Sequence, residues 1–294
     1  MKIDKSFFGT TSMPVIDLTK EKLQELAEQS VNNKLTVTGV QKKLSLNLER
    51  GRTNRLTLIN YPAGYILKPQ TDEYKHMPEA EDVAMDIAVA AGIKVVPHGL
   101  IELDGEWAYI TKRIDRCFVK EHVFKLAMED FCQLGGRMTE DKYKGSYEKC
   151  VDIIKHYSTR SGYDCTEFFM RVLISYLVGN SDMHLKNFSL IEMEPANREF
   201  VLAPAYDILP VNLFLREDNE ELALTLNGKK SNLKRGDFVL LAEKCGINEK
   251  TANRIIDKIF SRVDKYIEII EDSELPANMQ AEMIGLMRKR IGLC

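Results

Sequence analysis

The stretch YLVGNSDMHLKNFSL, residues 176–190, decides how the rest of the chain is read. An apolar run from Val172 to Val178 stops at Gly179, and the chain turns apolar again at Phe188. Between them stand an acid, an imidazole, an ammonium and a carboxamide: Asp182, His184, Lys186 and Asn187. The apolar run predicts a buried helix and the segment after Asn187 a strand, so the four polar groups sit on a short loop held at both ends.

Asp182 and Asn187 are spaced Asp-x-x-x-x-Asn, the spacing of a kinase catalytic loop. In such a loop the aspartate accepts the proton of the phosphate acceptor and the asparagine reaches a magnesium ion. Alone, the pair equally fits a polar turn in which both side chains satisfy backbone groups. Working outward, a hairpin is predicted over 188–203, FSLIEM pairing with EFVLA, and it delivers Tyr206 and Asp207 in APAYDILP. An acid just past that second strand is where a kinase places its second magnesium ligand, and oxygen donors suit that hard cation. His184 is read as a donor to the transferring phosphoryl group. Lys186 fits either a phosphate contact or a hydrogen bond that holds the loop.

The N-terminal part supplies the other half of a nucleotide site. Thr38, Gly39, Val40, Gln41, Lys42 and Lys43 form a turn whose N–H groups and lysines suit phosphates. YILK (65–68) reads as a strand ending in Lys68, and 78–91 as a helix stopped by Gly92. A strand lysine paired with a helix glutamate positions the α- and β-phosphates in protein kinases. Glu81 is the chosen partner, with Glu79, Asp82 and Asp86 close by. A short helix is expected over 19–30, further strands at 44–48 and 55–59, and a hairpin across Asp104–Gly105. After Asp115 the pattern turns helical: MEDFCQL, SYEKCVDIIKHYS, TEFFMRVLISYLV and the tail from about 235. One basic, glycine-containing loop, 135–145, interrupts it. The expected organisation is therefore a β-rich lobe over 1–115 and a helical lobe over 116–294.

The 294 residues, 44% hydrophobic, suffice for two lobes. A net charge of −3 and a pI near 6.1 give no global field for nucleic acid, so direct nucleic-acid binding is not expected. The MRKR run at 287–290 reads as a solvated helix face. Six cysteines, none two or three residues from another, offer neither a zinc knuckle nor a redox pair and suit a reducing cytosol. No apolar leader segment and no run near the roughly 18 residues of a membrane span stand out, so a cytoplasmic protein off the membrane is expected.

GNSDMHLKNFSL, with LAPAYDILP after it, resembles the catalytic and metal-binding segments of HipA-like serine/threonine kinases, the toxins of bacterial type II toxin–antitoxin modules. TVTGVQKKLSL is similar to their phosphate-covering loop, YILKP to their ATP-lysine strand, and MEDFCQLGGR to the helix that opens their C-terminal lobe. The likeness runs from about residue 34 to at least 210. It implies an α+β, bilobal protein-kinase-like fold, related to phosphatidylinositol kinases, that uses ATP and Mg2+. Asp182 is then the base, Asn187 and Asp207 the magnesium ligands, and Lys68 and residues 38–43 the ATP contacts. Lys112, Arg113 and Ile114 fall where the family's hinge reads adenine, largely through backbone. Thr36 and Thr38 take the place of a self-phosphorylated serine that gates activity.

The resemblance also implies a substrate class, aminoacyl-tRNA synthetases (tryptophanyl- or glutamyl-), phosphorylated so that translation stops and growth arrests. About 35 residues precede the phosphate loop where full-length HipA proteins have about a hundred, which resembles the short HipT branch. There the missing subdomain is a separate small HipS-type antitoxin, alongside a DNA-binding HipB-type protein. Two other readings remain: a small-molecule or lipid kinase of similar fold, and a pseudokinase module in a repressor complex.

Overall fold

A computed structural model describes residues 2–16, 43–51, 53–57, 64–119, 122–215 and 219–293. The helix expected over 19–30, Thr36 and the turn from Thr38 to Lys42 lie outside them. The chain forms two compact units, Met1–Asp82 with Val96–Val123, and Val83–Val95 with Phe124–Cys294.

In the first unit a one-turn helix, α1 (Lys5–Phe8), precedes strands β1 (Val15–Ile16), β2 (Leu44–Glu49), β3 (Arg55–Thr57) and β4 (Tyr65–Lys68). Helix α2 (Met77–Ala91) follows, and the division between the units falls inside it. The hairpin β5 (His98–Leu103) and β6 (Glu106–Lys112) then completes a six-stranded sheet in the order β1-β3-β2-β4-β6-β5. Period-2 alternation in β2 buries Leu44 and Leu46, which face Leu67 and Tyr65 in register, and exposes Ser45. With Phe8, Leu56, Ile101, Ala108 and Ile110 they make the core of this unit. The turn between β5 and β6 has both Asp104 and Gly105 at positive φ, 48° and 79°, the conformation that an Asp-Gly hairpin favours.

The sequence reading missed the next element, a hairpin of β7 (Arg116–Val119) and β8 (His122–Lys125) in the part expected to be helical. MEDFCQL is also corrected. Met128–Asp130 is strand β9, and only Phe131–Leu134 is helical, as α3. The reason is its partner: β9 pairs antiparallel with a strand some sixty residues later, Ser189 opposite Asp130 and Ile191 opposite Met128. Asp130 stays extended to cap α3 through the N–H of Gln133.

The second unit continues with α4 (Tyr147–Tyr157) and α5 (Ser161–Val178), then β10 (Ser189–Glu192) and β11 (Phe200–Leu202), which with β9 form a sheet ordered β11-β10-β9. Four helices follow: α6 (Arg235–Lys244), α7 (Glu249–Phe260), α8 (Val263–Glu271) and α9 (Ala277–Leu293). Helix α5 is buried almost all round, and its buried charged residues are partnered inside the protein. Asp164 accepts from Ser158 Oγ (2.6 Å) and Leu202 N (2.7 Å), and Glu167 pairs with Arg171 at 3.2 Å and accepts the Lys94 N–H. The 287–290 run is only half solvated, contrary to expectation: Arg288 and Lys289 are exposed, whereas Met287 and Arg290 are buried. Arg290 donates to the Tyr176 carbonyl at the end of α5 and to Asn212 Oδ1 (2.8 Å).

Helix α5 ends at Gly179 in the left-handed conformation (φ 87°), and the N–H of Asn180 closes on the Ser175 carbonyl at 2.8 Å. A Cβ at Gly179 would lie 2.6 Å from Leu286 on α9 and 3.5 Å from the Asn212 Cβ. Gly246 is also left-handed (φ 83°) but has open space where its Cβ would go. Gly179→Ala should therefore cost more than the roughly 1–2 kcal/mol of left-handed backbone strain expected for Gly246→Ala. Urea midpoints of the two variants against the parent chain measure the difference.

Candidate active site

In the first unit, β4 carries Lys68 opposite Tyr109 of β6, and the Lys68 Nζ lies 5.5 Å from the Tyr109 ring centroid. Its ammonium meets Glu81 Oε1, on the second turn of α2, at 2.6 Å, and both side chains are buried. The neighbouring acids are engaged elsewhere. Glu79 accepts from Gln70 (2.7 Å) and sits 2.9 Å from His76 Nδ1, and Asp82 lies 3.9 Å from His98 Nε2. At the end of β6 the N–H of Lys112 donates to the Pro97 carbonyl and that of Arg113 to the Gly64 carbonyl. The Lys112 ammonium lies 5.0 Å over the Phe7 ring, and burial lowers its pKa. Arg113 forks onto Asp115 at 2.9 and 2.7 Å. Ile114, between them, is half-buried. Of the phosphate-loop candidates, only Lys43 falls among the described residues, where it is exposed.

The second unit holds the polar loop, and its geometry follows from the end of α5. Beyond Gly179, the Asn180 Oδ1 accepts the Asp182 N–H at 3.1 Å. The Asp182 carbonyl accepts from the N–H of His184 (2.8 Å) and from Nδ2 of Asn187 (3.1 Å), while the Asn187 N–H donates to the His184 carbonyl. The loop thus closes on itself through one 3-10 turn, Leu185–Asn187. Leu185 and Phe188 anchor it from below, with the Phe188 ring 4.9 Å from that of Phe168 and 5.6 Å from that of Phe131.

The side chains differ in what they leave open. Lys186 meets Asp130 Oδ2 at 2.6 Å, a pairing that ties the loop to the cap of α3. The Tyr206 hydroxyl donates to the Lys186 carbonyl (3.1 Å) and receives Ser189 Oγ–H at 2.5 Å, which brings Asp207 beside the loop. Asp207 itself sits at positive φ (61°), uncommon for a residue with a side chain. Asn187, buried, has Nδ2 fixed on the Asp182 carbonyl, and its Oδ1 takes no hydrogen bond from any described residue. Burial holds the His184 pKa below its usual value, with Lys142 adding to the effect and Asp182 and Asp207 opposing it. Its Nδ1 is buried without a hydrogen bond to any described residue, and the lowered pKa leaves the ring a neutral donor–acceptor at neutral pH.

Sequence reasoning missed Tyr143. Its hydroxyl donates to Asp182 Oδ1 at 2.5 Å, and its ring meets that of His184 edge-on at 5.0 Å. It lies in the basic loop noted over 135–145, but no spacing rule joins residues 39 positions apart. Together the loop offers a carboxylate able to take up a proton and a set of hard oxygen donors, Asn187 Oδ1 and the Asp207 carboxylate. That donor chemistry fits a magnesium ion.

Comparison with known proteins bears on the family and the fold. The model of the HipA-like C-terminal domain family matches residues 35–267. A Haemophilus influenzae protein named "Putative kinase" is 29% identical over 290 residues, covering 88% of this chain and 81% of that one. Among solved structures, HipA of Shewanella oneidensis, in a toxin–antitoxin complex with HipB and operator DNA, superposes with a TM-score of 0.74 at 19% identity. That match covers 92% of this chain and 70% of HipA. The Helicobacter pylori proinflammatory kinase CtkA gives a TM-score of 0.56 at 18% identity over 85% of this chain and 92% of its own. These likenesses show the α+β, protein-kinase-like fold expected from the sequence, with its β-rich and helical parts.

The Lys68–Glu81 pair carries a direct test. Glu81→Ala leaves a buried ammonium without its carboxylate and should destabilise the protein by about 3–5 kcal/mol, while Lys68→Met/Glu81→Leu together should recover most of that loss. Urea unfolding of the three proteins measures both numbers.

Proposed function

The chain belongs to the HipA-like C-terminal domain family, and from that premise we propose that it is an ATP- and magnesium-dependent protein serine/threonine kinase acting as a bacterial toxin. One observation carries the reading. Asp182 and Asn187 share a loop whose own hydrogen bonds fix the Asn187 carboxamide, and Tyr206 brings Asp207 beside that loop. Asp182 receives the acceptor's hydroxyl proton as the phosphoryl group transfers, a contribution of about 10² to 10⁴-fold. Asn187 and Asp207 hold magnesium, which neutralises phosphate charge when bound. Lys68, fixed by Glu81, contacts the α- and β-phosphates, and residues 38–43 cover them. His184 donates a hydrogen bond to the transferring group. Lys186 and Tyr206 support the loop from outside through Asp130 and Ser189. Lys112 to Ile114 line the adenine.

The finer reading concerns substrate and partners. As a HipT-type short branch member, the chain phosphorylates an aminoacyl-tRNA synthetase and arrests growth in the cytoplasm. Thr36 and Thr38 are self-phosphorylated for control. A HipB-type protein supplies the DNA contact that a net charge of −3 does not favour, in the manner of the Shewanella complex, and a HipS-type protein is the antitoxin.

The experiment is ATP consumption and intact mass of the purified chain under magnesium–ATP, followed by phosphoproteomics after expression. The parent chain should gain phosphate and modify a synthetase serine. Asp182→Ala and Asp207→Ala should each lose transfer by a factor of about 10² or more with the unfolding midpoint retained. An Asp207→Ala protein that consumes ATP at the parent rate refutes the metal assignment, and synthetases left unmodified refute the substrate class.

A further inference from the structure

The basic loop noted in the sequence, together with Tyr147 at the start of α4, touches the catalytic-loop candidate at four points. The Lys142 carbonyl accepts the Leu185 N–H at 3.1 Å, and the Tyr147 hydroxyl donates to the Met183 carbonyl at 3.0 Å. At Gly145 even a Cβ would stand 3.4 Å from the Leu185 side chain. These three contacts reach the backbone of Met183 and Leu185 and the apolar side chain of Leu185. The fourth differs in kind, because the Tyr143 hydroxyl reaches the Asp182 carboxylate itself.

The Tyr143 ring is placed independently of that hydroxyl. The Lys142 ammonium lies 4.9 Å from its centroid, and the His184 ring meets it edge-on at an interplanar angle of 78°. Burial, and the hydrogen bond to Asp182, push its pKa upward, so it remains a phenol and a donor. A carboxylate has two oxygens. Oδ1 of Asp182 is held by Tyr143, and Oδ2 takes no hydrogen bond from any described residue.

We propose that Tyr143 is a positioning residue: by holding Oδ1 it sets the plane of the Asp182 carboxylate and leaves Oδ2 as the oxygen that receives the acceptor's proton. The inference rests on the kinase reading. In that transfer the acceptor oxygen bonds the γ-phosphorus as the bond from phosphorus to the ADP oxygen breaks, and the acceptor's proton passes to Oδ2. Tyr143 donates throughout and exchanges nothing.

Tyr143→Phe tests this, since it keeps the ring and its contacts with Lys142 and His184 and removes one hydroxyl. Turnover should fall tenfold or more with the KM for ATP within about twofold of the parent's, because orientation at the acceptor is lost and nucleotide binding is not. The thermal midpoint should stay within about 4 °C, the span of one lost hydrogen bond. Turnover that is unchanged or raised overturns the proposal, a rise meaning that the hydroxyl blocks the carboxylate. Phosphate mapped to Tyr143 of the parent chain overturns it too, by making that hydroxyl an acceptor. A parent chain without ATP turnover sinks the kinase reading and this inference with it. A parent whose turnover is lost in Asp207→Ala but kept in Tyr143→Phe sinks this inference alone.

Discussion

Helix α5 has no water to end in. Buried on nearly every side, it must satisfy its last carbonyls within the protein, and the left-handed turn at Gly179 does so through the N–H of Asn180. That single turn sets the direction in which the chain leaves the core. Asn180 then captures the Asp182 amide, Asp182 captures His184 and Asn187, and Phe188 re-enters the core among Phe131, Phe168 and Tyr147. The loop's path starts from that helix terminus, and Asp130, Lys142 and Tyr206 hold it from other elements.

Polar groups in this protein fall into two classes, those held by partners in the chain and those with an atom left open. Asp164, Glu167, Arg171, Lys68 and Glu81 are buried and held in short polar contacts with protein groups. Such groups hold elements in register, and the Lys68–Glu81 pair also fixes the ammonium proposed to contact phosphates. The loop departs from this. Among the described residues, no group hydrogen-bonds Asn187 Oδ1, Asp182 Oδ2 or the buried Nδ1 of His184. Open hydrogen-bonding capacity in a buried setting is costly. In this loop that cost falls on His184 Nδ1, and Asp182 Oδ2 and Asn187 Oδ1 stand beside it within six residues as acceptors open to a group other than the chain itself.

Much of this was legible in the sequence because it is local. The Asp182–Asn187 spacing, the strand alternation at Leu44 and Leu46, and the Asp104–Gly105 turn each depend on residues within one element or loop. What escaped was non-local. Three residues at Met128–Asp130 are too few to show a period, and they are a strand only because β10 pairs with them. Arg290 looked like one of several surface cations, yet its guanidinium meets a carbonyl 114 positions earlier. Tyr143 carried no signal beyond its loop, since its partner lies across the unit. Lys186, ambiguous in sequence, is drawn to Asp130, an acid whose position depends on the same misread strand.

The hold of Arg290 on the end of α5 has a consequence in time. Roughly a hundred residues separate it from Asp182, so at about 5–20 residues per second a ribosome finishes the loop about 5 to 20 s before it supplies the brace. For that interval the α5 terminus has its glycine turn but not the guanidinium at Tyr176 or the carboxamide contact at Asn212. The nascent chain therefore carries the loop's residues before the loop is fully supported. Synthesis thus delivers the end of α5 before the contact that braces it.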